Sequence, residues 1–267
     1  MRLREISSSQ NPWIKRLRAG LRRGKLTEAG ECAVEGFHLV DEALASGLEV
    51  SAIVWTPTGE RYWQQLAPRL NGRERCLRTS ERVFRSLAQT ETSQGIAALV
   101  RLPRWEEARA LARPNAVAAA LVGLQDPGNL GTILRTLEAF GGAACLVGPG
   151  TVSAFNAKAM RASAGSVFRL PIFTHATETA LLAACRKHGL RTIALDINAK
   201  RGLDELDLRG SFAFFVGREG SGLGREILAA VDEVARIPIA RSVDSLNAAV
   251  AAALALYEAA RQRGFSF

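Results

Sequence analysis

The stretch Val117-Ala-Ala-Ala-Leu-Val-Gly-Leu-Gln-Asp-Pro-Gly-Asn-Leu-Gly-Thr-Ile-Leu-Arg135 reads as a strand, a turn and the opening of a helix. Val117 to Leu124 is apolar without alternation, the pattern of a strand buried on both faces of a parallel sheet. Asp126-Pro-Gly has turn chemistry. Asn129 can cap a helix running to Phe140. The same unit recurs downstream: strands are expected at Ala143–Val147, Arg191–Asp196, Ser211–Val216 and Val234–Ile237, and helices at Ala157–Ser163, Thr179–His188 and Asn247–Gln262. Strands alternating with helices predict an α/β fold with a mostly parallel sheet.

Two further segments resemble the first in character, Val216-Gly-Arg-Glu-Gly-Ser-Gly-Leu223 and Ile237-Pro-Ile-Ala-Arg-Ser-Val-Asp-Ser-Leu-Asn247. Each sets glycine or proline beside polar side chains after an apolar run, where an α/β sheet presents a ligand site. The glycines at 217, 220, 222 and 224 do not follow G-x-G-x-x-G, and no Walker lysine accompanies them, so a dinucleotide or triphosphate site is poorly supported. Arg135 falls among Ile133, Leu134 and Leu137, and a guanidinium buried there needs an acceptor; the bland alternative is a side chain reaching to the surface. Glu219 can pair with Arg135 or face solvent, and Ser245 or Asn247 can be a plain helix cap.

Composition bounds the rest. The chain has 267 residues, 48% hydrophobic and 23% charged, which fits an ordered globular protein of one large or two modest domains. No apolar run is long enough to span a bilayer, and Met1-Arg-Leu-Arg-Glu lacks a secretory core, so a cytoplasmic location is expected. Cys32, Cys76, Cys145 and Cys185 are too widely spaced for a zinc site, and only Cys185 has a nearby histidine, His188; four free thiols fit a reducing compartment. Of the net charge of +9, most lies in residues 1–25, where Arg2, Arg4, Lys15, Arg16, Arg18, Arg22, Arg23 and Lys25 face Glu5 alone. Such a patch favours a polyanion. A membrane surface fits less well, since Trp13 and Ile14 are its main apolar anchors.

Prolines mark a charged segment from Arg101 to Asn115, read as a linker or linking helix. The expected organisation is a compact α/β module over 1–104, a linker over 105–115 and the larger α/β domain over 116–267.

The three loop segments, in this order, resemble the motifs of the SpoU/TrmH family of RNA ribose 2′-O-methyltransferases in the SPOUT superfamily. Asn129 through Arg135 match the first motif, Gly217 through Leu223 the second, and Ile237-Pro-Ile with Ser245-Leu-Asn247 the third; Lys158 through Ser166 is similar to another family segment. Ser9 through Lys15 and Val34 through Val40 resemble the family's L30e-like substrate-binding module. The resemblance implies a deep trefoil knot in the C-terminal domain, S-adenosylmethionine as cofactor, no metal and a homodimer formed through the knotted domain. It further implies transfer of a methyl group to a ribose 2′-hydroxyl, with structured ribosomal RNA favoured over transfer RNA. A non-catalytic RNA-binding protein on the same fold is the competing class. Carried over by position, Gly217, Ile237 and Leu246 are expected at the cofactor, and Arg135, Asn129, Glu219, Ser245 and Asn247 at the reaction. Arg135 would act as an electrostatic stabiliser, because a guanidinium is a poor base. Lys15, Arg16, Arg18, Arg22, Arg23, Lys25 and Arg161 are expected on RNA. The chain departs from the family at Arg218, where a small residue or Asn is common, and at Ala249, where Ser is common.

Overall fold

The structure, a computed structural model, describes residues 3–240 and 242–266; Arg2 and Arg241 lie outside them. In chain order the elements are β1 (Leu3–Ile6), α1 (Pro12–Arg23), β2 (Glu31–Glu35), α2 (Phe37–Ala45), β3 (Glu49–Trp55), α3 (Glu60–Leu66), β4 (Arg75–Thr79), α4 (Glu81–Arg85) and β5 (Ile96–Arg101). There follow α5 (Glu107–Leu111), β6 (Val117–Leu121), α6 (Pro127–Ala139), β7 (Ala144–Val147), α7 (Ala157–Ala162), β8 (Ile172–Thr174), α8 (Glu178–Lys187), β9 (Arg191–Leu195), β10 (Arg201–Gly202), β11 (Phe212–Val216), α9 (Arg225–Ala230), β12 (Glu233–Arg236) and α10 (Ala248–Gln262).

Two compact units result. The first runs through Arg104 and takes in Ser153–Phe168; the second holds Trp105–Val152 and everything from Arg169 on. The segment read as a linker or linking helix carries α5, which packs Leu111 into the core of the second unit.

The first unit is built on a five-stranded sheet in the order β1-β4-β3-β5-β2, parallel from β1 to β3 and antiparallel at β5. Ala52 and Val54 of β3 and Ala97 and Leu99 of β5 alternate onto one face, covered by Ile14, Leu17 and Leu21 of α1 and by Val83 and Phe84 of α4. The intervening Ile53, Trp55, Ala98 and Val100 are equally buried. Trp55 stacks on Trp63 of α3 at 3.8 Å, so helices cover both faces. The helix α1 starts at Pro12 because Asn11 accepts the Trp13 N–H and proline lacks the N–H a helix start would waste.

The second unit contains seven strands, all parallel, in the order β10-β12-β9-β11-β6-β7-β8. Its centre is β11, five consecutive buried residues paired with β6 and β9. One face packs on α8 and α9 through Leu181, Cys185 and Ile227. The other carries α6 and α10. On α10 the buried positions are mostly alanine, Ala248, Ala249, Ala252, Ala255, Ala259 and Ala260, which lets it lie close to α6. Because every strand points the same way, the loops after β6, β9, β11 and β12 all leave from one edge of the sheet.

Candidate active site

That edge holds a cavity of about 210 Å³. Its floor is the glycine turn after β11. The backbones of Arg218 and Gly222 hydrogen-bond to each other at 2.8 and 3.1 Å, closing the turn, and Gly220 and Gly222 sit at φ of +82° and +66°. Gly217 is fixed by sterics instead: a Cβ there would stand 2.3 Å from the carbonyl carbon of Gly222 and 2.5 Å from the Leu223 nitrogen. Ile237 and Ile239 follow β12, Leu246 precedes α10, and these three give the cavity apolar walls.

Gly217, Ile237 and Leu246, the residues expected at the cofactor, all line this cavity, as do Glu219 and Ser245. Asn129 and Asn247 are tied to it by a chain of side chains. Asn129 donates through Nδ2 to the Glu219 carboxylate, and its Oδ1 accepts from Asn247 Nδ2 at 3.1 Å. Asn247 Oδ1 meanwhile accepts the N–H groups of Ala249 and Val250, capping α10. One amide thus sets the start of α10 and the rim of the site together.

The structure decides three points that the sequence left open or placed differently. Asp126, not Asn129, caps α6: its Oδ1 accepts the Gly128 and Asn129 N–H groups, and the helix begins at Pro127. The capped start frees the Asn129 side chain for Glu219. Of the two readings of Arg135 the surface one holds: it is exposed, unlike Ile133, Leu134 and Leu137, and it neither lines the cavity nor pairs with Glu219. It has no hydrogen-bond or ion-pair partner among the described residues. The basic N-terminal patch is also smaller than its sequence suggests. Arg16 is paired at 2.5 Å with Glu31, a carboxylate 2% exposed, and Arg18 is spent on the Ser9 carbonyl and the Ser86 hydroxyl. Lys15, Arg22, Arg23 and Lys25 are exposed, and so is Arg161 on α7.

The cavity also has walls that the motifs did not announce: Leu195, Asp196, Ile197 and Asn198, the end of β9 and the loop after it. Only the sheet order, which sets β9 beside β11, could have pointed to them. The donor set suits a cation with an apolar body, because Asp196 and Glu219 bring carboxylates to otherwise apolar and backbone walls. The four cysteines are buried, and burial pushes Cys32, Cys145 and Cys185 up to about 12 and Cys76 up to about 11, which leaves no reactive thiolate. Among the described residues no group of three or more His, Cys, Asp or Glu is placed to hold a metal, and no helix is long and apolar enough to cross a membrane.

Residues 116–257 match the model of the SpoU rRNA methylase family, and residues 11–98 match that of the MRM3-like substrate binding domain. The chain belongs to the SpoU rRNA methylase family. A relative from Bacillus subtilis (strain 168), the 23S rRNA (guanosine(2553)-2′-O)-methyltransferase RlmP, is 32% identical over 96% of this chain and 98% of its own. A solved RNA 2′-O ribose methyltransferase is 34% identical, with a TM-score of 0.77 over 97% of this chain and 99% of the other. The SpoU methyltransferase AviRb from Streptomyces viridochromogenes, solved in complex with AdoMet, is 26% identical with a TM-score of 0.83 over 97% and 100% of the two chains. The SpoU match spans α6, the glycine turn and the start of α10, the three elements joined by Asn129, Glu219 and Asn247.

Proposed function

We propose that this protein transfers the methyl group of S-adenosylmethionine to a ribose 2′-hydroxyl of RNA, and that the RNA is ribosomal. The observation that carries the reading is the hydrogen-bonded chain Glu219–Asn129–Asn247 at the rim of the cavity lined by Gly217, Ile237 and Leu246. It links three loops remote in sequence around one pocket, inside the region matched by the family model.

The residues present fit the cofactor. Backbone groups of the glycine turn suit the edge of an adenine, Ile237 and Leu246 suit its faces, and Asp196 and Glu219 offset a sulfonium charge. S-adenosylmethionine supplies an electrophilic methyl group when bound. The chain's own part is to align the 2′-oxygen and to stabilise the charge it gains as its proton leaves. Arg135 takes the second task as a cation that faces the developing charge, with an RNA phosphate accepting the proton. Ser245 contacts the RNA, and Asn129 positions Glu219 and the turn. Arg218 lies over Gly123, where a Cβ would come 3.3 Å from its Nε, and lines the cavity, so it is placed to meet a phosphate.

The fold is read as knotted, with α10 drawn through the loops of the sheet edge. The enzyme is read as a homodimer of the second unit. Val250, Leu254 and Tyr257 are 47%, 42% and 47% exposed at helical spacing along α10, a stripe a second copy would cover. Pairing there would bring Arg135, on the adjoining α6, to the junction between two copies. The first unit serves as the L30e-like RNA-binding domain over 1–104, with the cytoplasm as the place of action.

The test is incubation of the purified protein with tritiated S-adenosylmethionine and, separately, ribosomal and transfer RNA, followed by mapping of ribose methylation. Label in ribosomal RNA at a 2′-oxygen supports the reading. Cofactor binding without transfer to either RNA would assign the fold to the non-catalytic class.

A further inference from the structure

The first unit contains a cavity of about 560 Å³ that methyl transfer leaves unused. It lies between the start of α2, the loop 90–94 and α7. Three carboxylates line it, and each is engaged. Glu35 accepts from the Gln89 N–H at 2.7 Å and from the Thr90 and Ser93 hydroxyls at 2.9 and 2.8 Å. Asp41 is paired with Arg69. Glu42 lies along Gly165, where a Cβ would come 2.6 Å from its Oε2, and has a partner of its own. The nitrogen groups are in the opposite condition. His38 and Arg161 are exposed, and neither makes a hydrogen bond or ion pair among the described residues.

The His38 ring belongs to the lining, and it rests against an aromatic pair. Phe37 stacks on Tyr62 with ring centroids 5.0 Å apart and planes 25° from parallel, and the His38 ring meets Phe37 edge-on at 5.6 Å. The Arg61 guanidinium covers Tyr62 at 4.5 Å. Gln94, a wall of the cavity, fixes Phe37 by accepting its N–H at 2.7 Å. The backbone at Phe37 is therefore held by the cavity wall, and the His38 ring meets Phe37 edge-on.

We propose that this cavity takes one unpaired nucleotide of the RNA substrate, its base against the His38 ring and its phosphate on Arg161. Aromatic faces stack on any base, and a guanidinium pairs with phosphate oxygens. A base inside a duplex is already stacked and paired and cannot enter a cavity, so the site selects single-stranded or bulged RNA. Glu35 is satisfied by neutral donors and Asp41 by Arg69, so neither carboxylate claims the Arg161 guanidinium. The proposal rests on the RNA reading above, and it adds a recognition site for RNA remote from the methyl-transfer cavity in sequence.

The test uses the full chain and three probes: an unstructured oligoribonucleotide of about 12 nucleotides, the same sequence as a perfect duplex, and free AMP or UMP. His38→Ala and Arg161→Gln are each expected to weaken single-strand binding about tenfold while changing duplex binding less than about twofold. Arg161→Gln should also lower the slope of log affinity against log salt by about 0.7, and His38→Ala should leave it unchanged. Unchanged thermal melts and S-adenosylmethionine affinity confirm that both variants fold. Equal losses on both RNA probes, no loss on either, or free nucleotide bound more tightly than the single strand would overturn the proposal. Methyl transfer by the wild type separates the two readings. If it methylates RNA while both variants bind the single strand normally, the cavity proposal alone falls. If it neither binds nor methylates RNA, both fall.

Discussion

Asn129 and Glu219, 90 positions apart in the chain, meet side chain to side chain, and the Asn129 carbonyl oxygen receives Asn247 in turn. An amide is needed at 129 because the position must donate to a carboxylate and accept from another amide at once. Asn129→Asp removes the donor and sets two carboxylates together. Methyl transfer is expected to fall by about 10²-fold or more, with stability reduced by roughly 1 kcal/mol, read by single-turnover kinetics and urea melts. Activity equal to the wild type would detach this chain of amides from function.

Arg135→Ala should behave differently. Its side chain is exposed and unpaired among the described residues, so stability is expected to stay within about 0.5 kcal/mol of the wild type. Transfer should drop by about 10²-fold or more if the guanidinium stabilises the developing alkoxide, while cofactor affinity by calorimetry holds. Undiminished turnover would exclude Arg135 from the reaction.

Gly217→Ala probes the floor of the cavity. The added methyl would collide with the backbone of Gly222 and Leu223, neither of which is the end of a flexible side chain. A destabilisation of roughly 2 kcal/mol or more and loss of S-adenosylmethionine binding are expected; a variant with normal affinity would show that the turn can reopen.

The central pattern of the second unit is plain in the sequence because parallel strands buried on both faces are written as unbroken apolar runs, as in Val117–Leu121 and Phe212–Val216. The edges are not. In β1, Leu3, Arg4 and Glu5 are exposed, and β4 carries Arg75 and Arg78, so neither reads as a strand until a neighbour is present to pair with it. Gly217, Ile237 and Leu246 came from the family resemblance, and the structure sets them around one cavity. What the polar site residues touch was not legible, because Asn129 bonding Glu219 rather than capping its own helix depends on Asp126 taking the cap first. Likewise Arg16 counts as free charge in the sequence only because nothing there reveals that Glu31 lies buried beneath it.

That difference within the basic helix is measurable. Arg16→Ala strands a carboxylate that is 2% exposed, with Arg101 3.9 Å away as its remaining cation, and is expected to cost about 1–2 kcal/mol after allowance for the partly exposed guanidinium. Arg22→Ala and Arg23→Ala should leave stability within about 0.5 kcal/mol and reduce the salt slope of RNA binding by about 0.7–0.9 each. Reversal of the two behaviours would return Arg16 to the RNA surface.

Acid should act through Asp232. The Thr192 backbone N–H and then its hydroxyl, both at 2.7 Å, hold this carboxyl below its ordinary value of 3.8. A depressed folded-state pKa gives stability that is fully present above 3.8 and is lost as pH falls through the lower folded value. Asp232→Asn should therefore be less stable than the wild type at neutral pH, with the gap closing as pH drops below 3.8. Urea melts at neutral and strongly acidic pH check it; a gap independent of pH would mean that the charge does not matter.

The first unit draws Ser153–Phe168 from beyond β6, α6 and β7. The Ser153 hydroxyl bonds the Gly24 carbonyl at 2.5 Å, and Arg161 and Ala164 complete the wall of the cavity beside α2. A nascent chain leaving the ribosome therefore cannot finish its first unit before part of the second has emerged. A gene fragment cut after Arg104 would encode a body with one side open, so assays on such a fragment would report the missing wall as well as the missing methylase.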